Sequence, residues 1–179
     1  MSRLPSQLQQ QTDDAMTEIR SLAANDGEAG LSEIAVVLRR LASTQTWQEA
    51  SLVAASPGEE VLYELDVTAD GPSLYLVSDG QGVTSPPHEH GTWAVIAGVR
   101  GAEANVQFRP LSGRLVAPID RVVVGAGESL VLSADAIHAT EVVGAEPTFH
   151  LHLYGKPLRE LSSFASRVFA GQAERENRA

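Results

Sequence analysis

The chain has 179 residues, 43% of them hydrophobic and 20% charged, enough for one domain with a substantial core. A net charge of -10, with no cluster of Lys or Arg, argues against nucleic acid and other polyanions as partners. The absence of cysteine excludes disulfides, zinc–thiolate sites and a cysteine nucleophile, so any metal must be held by imidazole, carboxylate or backbone oxygen.

The N-terminal "MSRLPSQLQQQTDD" lacks the apolar centre of a secretory signal, and no apolar run approaches the roughly 18 residues of a membrane span. The expected location is therefore the cytoplasm, without membrane contact. From Leu4 to Ala24 the residues Leu8, Ala15, Ile19 and Leu22 recur at roughly helical spacing. "NDGEAG" at 25–30 breaks that helix. "LSEIAVVLRRLAS" then aligns Leu31, Ile34, Val37, Leu38 and Leu41 on one stripe, with Arg39 and Arg40 near the end where the helix dipole favours cations. Both helices read as a cover packed against another layer.

After Trp47 the texture changes to short β-prone runs: "EEVLYELDV", "SLYLVSD", "WAVIAGV", "EANVQFRPL", "DRVVVGAG", "ESLVLSAD", "ATEVVG" and "TFHLHLYG". Gly, Pro, Asp and Ser punctuate them at short intervals, which points to an antiparallel sandwich or barrel rather than alternating β and α units. The expected organisation is one domain over 1–179. It comprises a helical extension over 1–50, a β-barrel over 58–156 and a segment over 157–179 whose polar end, "AGQAERENRA", should fray.

Two of the five histidines stand in "SPPHEHGTW". On an extended chain His88 and His90 share a face about 7 Å apart, so the pair is either a surface accident or half of a metal site. The surrounding frame is more specific. Gly82, His88, His90 and Gly101 match the first motif of the cupin superfamily, G-x5-H-x-H-x3-E-x6-G, with Ala94 at the position of the glutamate ligand. Gly127 and His138 keep the frame of the second motif, G-x5-P-x-G-x2-H-x3-N, while Ser133, Asp135 and Val142 replace its other residues. The resemblance covers about Tyr63 to Tyr154 and implies a mainly β, jelly-roll (double-stranded β-helix) barrel behind the helical extension. It also implies His88, His90 and His138 as metal ligands.

Within that superfamily, "HEHGTWAVIAGVRGAE" resembles the "HDHxxWGxxGxxxG" segment of the thiol dioxygenases, the cysteine dioxygenase and 3-mercaptopropionate dioxygenase group. "FHLHLYGKPL" resembles the family's "S-x-H-x-Y" strand. The loss of the glutamate at Ala94 fits that family, whose iron(II) is held by three histidines. The resemblance implies oxidation of a small thiol by O2 to a sulfinic acid, with His152 and Tyr154 as the catalytic pair beside the iron. His150 stands where the family has serine, either as a hydrogen-bond partner or as an additional ligand. "VLYELDV" offers Tyr63, Glu64 and Leu65 where the family carries a carboxylate-binding Arg, and no motif places Arg100, Arg109 or Arg159 there. Glu89, between two inward residues, should face away, Trp93 should pack in the core, and Glu103 reads as part of a turn without a catalytic role.

The implied cofactor is Fe(II), with Ni, Mn or Zn as alternative divalent ions, and the implied partners are a small thiol and O2. Cupins are often dimers, so a homodimer is admissible, although no stretch of the sequence marks an interface. Two other functions compete: a cupin enzyme acting on a carbon substrate, by dioxygenation or isomerisation, and a non-catalytic small-molecule-binding cupin.

Overall fold

The computed structural model describes residues 4–26 and 30–159, with the backbone of 167–168 and 170–171. Three helices come first: α1 (Ser6–Asp26), α2 (Leu31–Ala42) and the single turn α3 (Thr46–Glu49). The strands follow as β1 (Glu60–Asp66), β2 (Ser73–Asp79), β3 (His88–Glu89), β4 (Ala94–Arg100), β5 (Ala102–Pro110), β6 (Leu115–Gly125), β7 (Ser129–Leu132), β8 (Ile137–Val142) and β9 (Phe149–Tyr154). Two short strands, β10 (Arg167–Val168) and β11 (Ala170–Gly171), lie in the C-terminal segment. Ala170–Gly171, the start of the stretch expected to fray, pairs with Leu115–Val116 of β6, whereas 172–179 lie outside the described residues.

The strands form two sheets, ordered β1-β2-β9-β4-β7 and β10-β3-β8-β5-β6-β11. From β2 to β9 the chain is one long antiparallel hairpin with β5 and β6 at its tip, so β4 pairs β7, β3 pairs β8 and β2 pairs β9. That hairpin is rolled until β5 also meets β8 and β4 meets β9. This is jelly-roll topology, as the sequence leads one to expect, and it brings β3, β5, β8 and β9 around one interior although they are far apart in the chain.

The helices cover the outer face of the first sheet. Leu8, Ile19, Ile34 and Leu38 have no exposed surface and pack with Leu74, Leu76, Val95, Ala97, Phe149, Leu151 and Leu153. Each such aliphatic side chain contributes about 1.5–3 kcal/mol on burial. Arg20 of α1 also meets Asp66 of β1 at 2.5 Å, a partly exposed pair worth about 1 kcal/mol or less. Because helices cover one face and the second sheet the other, every residue of β2 and β9 is buried. Alternation then sorts "FHLHLY": Phe149, Leu151 and Leu153 turn to the helices, and His150, His152 and Tyr154 turn to the barrel interior.

Trp93 is half-buried on the helical side, over Gly155, where a Cβ would lie 2.7 Å from the indole, so its expected packing role holds. At Gly98 the two sheets meet through an isolated bridge to Ala126. Its N–H donates to Glu128, its carbonyl accepts from Gly127, and a Cβ there would meet the Gly125 carbonyl oxygen at 2.1 Å. Backbone cannot yield as a side chain does, so Gly98→Ala should cost about 3 kcal/mol or more, read as a lower urea midpoint. Unchanged stability would mean that the sheets can part here freely.

Candidate metal centre

All five histidines of the chain face the barrel interior, but only three of them cluster. His88 lies on β3 and pairs directly with His138 on β8, and His90 stands just past the end of β3. The ring centroids of His88 lie 4.7 Å from His90 and 4.5 Å from His138. One ligand nitrogen from each of His88, His90 and His138 falls within 4.8 Å of the others, and this is the metal-compatible cluster among the described residues.

The hydrogen bonds fix which nitrogens are offered. His88 Nδ1 donates to the Pro86 carbonyl at 2.8 Å, and His138 Nδ1 donates to Asn105 Oδ1 at 2.9 Å. Each ring therefore keeps its Nε2 lone pair for a metal. The Nε2 atoms of His90 and His138 lie 3.0 Å apart. Two nitrogens bound about 2.1 Å from one ion are about 3.0 Å apart at right angles and about 3.4 Å apart at the tetrahedral angle. The spacing of this pair therefore suits neighbouring positions of an octahedral ion, with the His88 ring beside both. Ala94, 2% exposed, lies opposite Tyr154 in the ladder and supplies no carboxylate, so the ligand set is neutral.

Burial keeps these rings uncharged. His90 is pushed down to about 4 by desolvation and then by His88. His138 lies well below the usual imidazole range through desolvation and the neighbouring rings, and desolvation also lowers His88. Neutral imidazoles are ready to ligate without first releasing a proton.

Beside the cluster, the Tyr154 ring packs edge-on against His90, with centroids 4.8 Å apart. His152 Nδ1 lies 3.2 Å from the Tyr154 hydroxyl, joining the two side chains that alternation places on one face. Burial pushes the phenol above its usual range, with Glu103 the next cause, and pushes His152 down to about 3. Tyr75, Ile96 and Leu132 pack beside Tyr154 and keep this wall apolar.

His150 joins neither group. Its Nε2 donates to the Val124 carbonyl of β6 at 2.9 Å, so it is a structural hydrogen-bond donor within the barrel wall. The group nearest the free nitrogen of His152 is instead Glu103, whose Oε2 lies 3.9 Å from Nε2. Glu103 corrects the sequence reading: it is not in a turn but on β5, between Val124 and Val142, and is 1% exposed. Its Oε1 accepts from Asn105 Nδ2 at 2.8 Å, beside the bond from Asn105 to His138. Desolvation raises its carboxyl to about 8, Asn105 opposes that, and Asp79 and Glu60 add to it. With His152 neutral as well, the 3.9 Å approach is not an ion pair at neutral pH.

Glu89 is half-buried outside the cluster. Arg100 stacks over Phe149, Arg159 donates to the Thr68 carbonyl, and Arg109 is exposed near the end of β5. A separate cavity of about 560 Å³, lined by Trp47, Arg100, Gly127 and Phe149 among others, contains none of the histidines. No described helix is long and apolar enough to cross a membrane.

No family model and no curated protein sequence matches the chain. Among solved structures it is similar to a cupin superfamily protein from Desulfitobacterium hafniense, at 17% identity over 59% of this chain and 85% of that one, with a TM-score of 0.47. A double-stranded β-helix protein from Klebsiella pneumoniae gives 14% identity over 65% and 84%, with a TM-score of 0.49. An oxalate oxidase in complex with the substrate analogue glycolate gives 22% identity over 58% and 56%, with a TM-score of 0.45. Likenesses of this degree concern the backbone, and no activity is carried over from them.

Proposed function

We propose that the chain is an iron(II)-dependent thiol dioxygenase that converts a small thiol and O2 into a sulfinic acid, with the metal at His88, His90 and His138. The observation that carries this reading is the convergence inside the barrel of three neutral imidazoles, two of them oriented by hydrogen bonds at Nδ1, with no carboxylate ligand at Ala94. Iron(II) held there would keep its full charge, leave positions open for a thiolate and O2, and supply the redox chemistry between them. The reaction balances without another reductant: sulfur gives up four electrons, O2 takes them, and both oxygen atoms end on sulfur.

The chain's own residues bind, orient and exclude water. Ile96 and Leu132, 1% and 3% exposed, keep the reacting face dry. Tyr154 Oη retains its proton at neutral pH and is held at a fixed angle by His152, ready to donate to the substrate pair. The interior is acidic rather than basic: Glu103 and Asp79 are buried in it, and β1 and β2 carry no Lys or Arg. The thiol expected is therefore uncharged or amine-bearing rather than a carboxylate.

Oxygen uptake by the iron-loaded protein, measured with sulfinate formation on cysteamine, uncharged thiols, cysteine and 3-mercaptopropionate, tests this directly. Matched uptake and sulfinate, strongest on thiols lacking a carboxylate, is the expected result. Tyr154→Phe should then lower kcat about 100-fold while leaving metal affinity within about threefold, because it removes one donor and no ligand. Bound iron without uptake on any thiol would favour a second reading, a metal-dependent cupin enzyme acting on a carbon substrate. The lack of a basic anchor on β1 and β2 supports that alternative.

A further inference from the structure

Glu103 is an expensive residue for a barrel interior. A carboxyl 1% exposed with one hydrogen-bond partner costs several kcal/mol relative to an apolar side chain of similar size, and nothing in the packing requires it. Its two oxygens reach in different directions. Oε1 accepts from Asn105 Nδ2, which commits the amide nitrogen and leaves only Asn105 Oδ1 to face His138. An oxygen there accepts only from a protonated Nδ1, so the His138 tautomer is fixed with its lone pair on Nε2, the atom 3.0 Å from His90 Nε2. Oε2 and His152 Nε2 face each other at 3.9 Å, both buried and both without a hydrogen-bond partner. A displacement of about 1 Å closes that gap. On its far side, His152 meets the Tyr154 hydroxyl.

We propose that Glu103 is a positioning residue for the metal centre, fixing the His138 tautomer through Asn105 and facing His152, which holds Tyr154, with its other oxygen. The inference rests on the three-histidine reading of the centre. No local motif announces this role, because β5 brings Glu103 and Asn105 to the interior only by pairing with β8 and β6. The raised carboxyl makes Gln the closest substitute, since it keeps an oxygen toward Asn105 and presents an amide toward His152.

The test begins with the unaltered, metal-free protein. Long-range ¹H–¹⁵N spectra of the imidazoles should show His138 as the Nδ1–H tautomer, and the Nε2–H tautomer would overturn the proposal whatever any variant does. Co(II) titration then compares variants. Glu103→Leu should bind about 10–100-fold more weakly and show a mixture of His138 tautomers, whereas Glu103→Gln should stay within about threefold of the unaltered protein. Asn105→Ala should lose about as much as Glu103→Leu, and the double variant little more, because the two side chains act in series. Additive losses, or Glu103→Leu with unchanged affinity and tautomer, would reduce Glu103 to a packing residue. If the unaltered protein binds no Co(II), the three-histidine reading fails, while the tautomer measurement still decides what Glu103 does.

Discussion

His138→Ala is expected to weaken divalent-metal binding about 100- to 1,000-fold and to abolish metal-dependent oxidation while the barrel stays folded. If the site is worth about 10–12 kcal/mol, the lower part of the range for tight protein sites, one imidazole of three accounts for about 3–4 kcal/mol, which is that factor in affinity. Chelator competition with Fe(II) or Co(II) measures it. Structurally, the substitution leaves a small cavity on β8 and frees Asn105 Oδ1, a cost of about 1–3 kcal/mol that a two-sheet core can bear. Affinity within threefold of the unaltered protein would remove His138 from the centre.

The metal-free protein should lose stability as pH falls from about 6.5 to about 4, by several kcal/mol. His88, His90, His138, His150 and His152 are all held below their ordinary range, chiefly by desolvation, with His90 near 4 and His152 near 3. For a base depressed in this way, the stabilising contribution is present above the unfolded value near 6.5. It is lost below that value, where the unfolded chain takes up a proton that the folded chain refuses, at about 1.4 kcal/mol per pH unit per group. The buried acids work in the opposite sense. Glu103, raised to about 8, and Asp79, raised to about 6 by desolvation and Glu60, favour the folded state below the ordinary carboxylate range and lose that advantage as pH rises through those values. Between about pH 4 and 6 the two acids offset about two of the three most depressed imidazoles, His90, His138 and His152, leaving a net slope of about 1.4 kcal/mol per unit to which His88 and His150 add in the same direction, appreciable beside a total stability of about 5–15 kcal/mol. Urea unfolding across pH 4–9 should show a maximum near 6.5–7 with a falling acid side. His138→Ala should make that side shallower by about one proton. Flat stability between pH 7 and 4.5 would mean that the imidazoles are solvated in the folded state.

The parts of this structure that were legible from sequence are those set by local periodicity. The stripe of Leu8, Ala15 and Ile19 and that of Leu31, Ile34 and Leu38 gave the two long helices and their buried faces. Alternation in "FHLHLY" put His152 and Tyr154 on one side, as the structure has them. What escaped depends on pairing between distant strands. Glu103 follows Gly101, a turn residue with φ +75°, and so read as part of the turn, yet its burial is decided by Val124 and Val142 across two ladders. The first half of β6 was hidden by Pro118, tolerated because the register shifts there opposite Phe108. His150 looked like a candidate for the metal or for His152, but the 2.9 Å bond to Val124 holds it against the wall, and that carbonyl is 26 residues away.

The most direct test of the metal centre is X-ray absorption at the iron edge on protein loaded with one equivalent of Fe(II). Three imidazole nitrogens at about 2.1 Å, recognised by scattering from the outer ring atoms, with oxygen donors completing a six-coordinate shell, is the result expected from His88, His90 and His138. A shell with one imidazole or none, or iron that washes away before measurement, would contradict it.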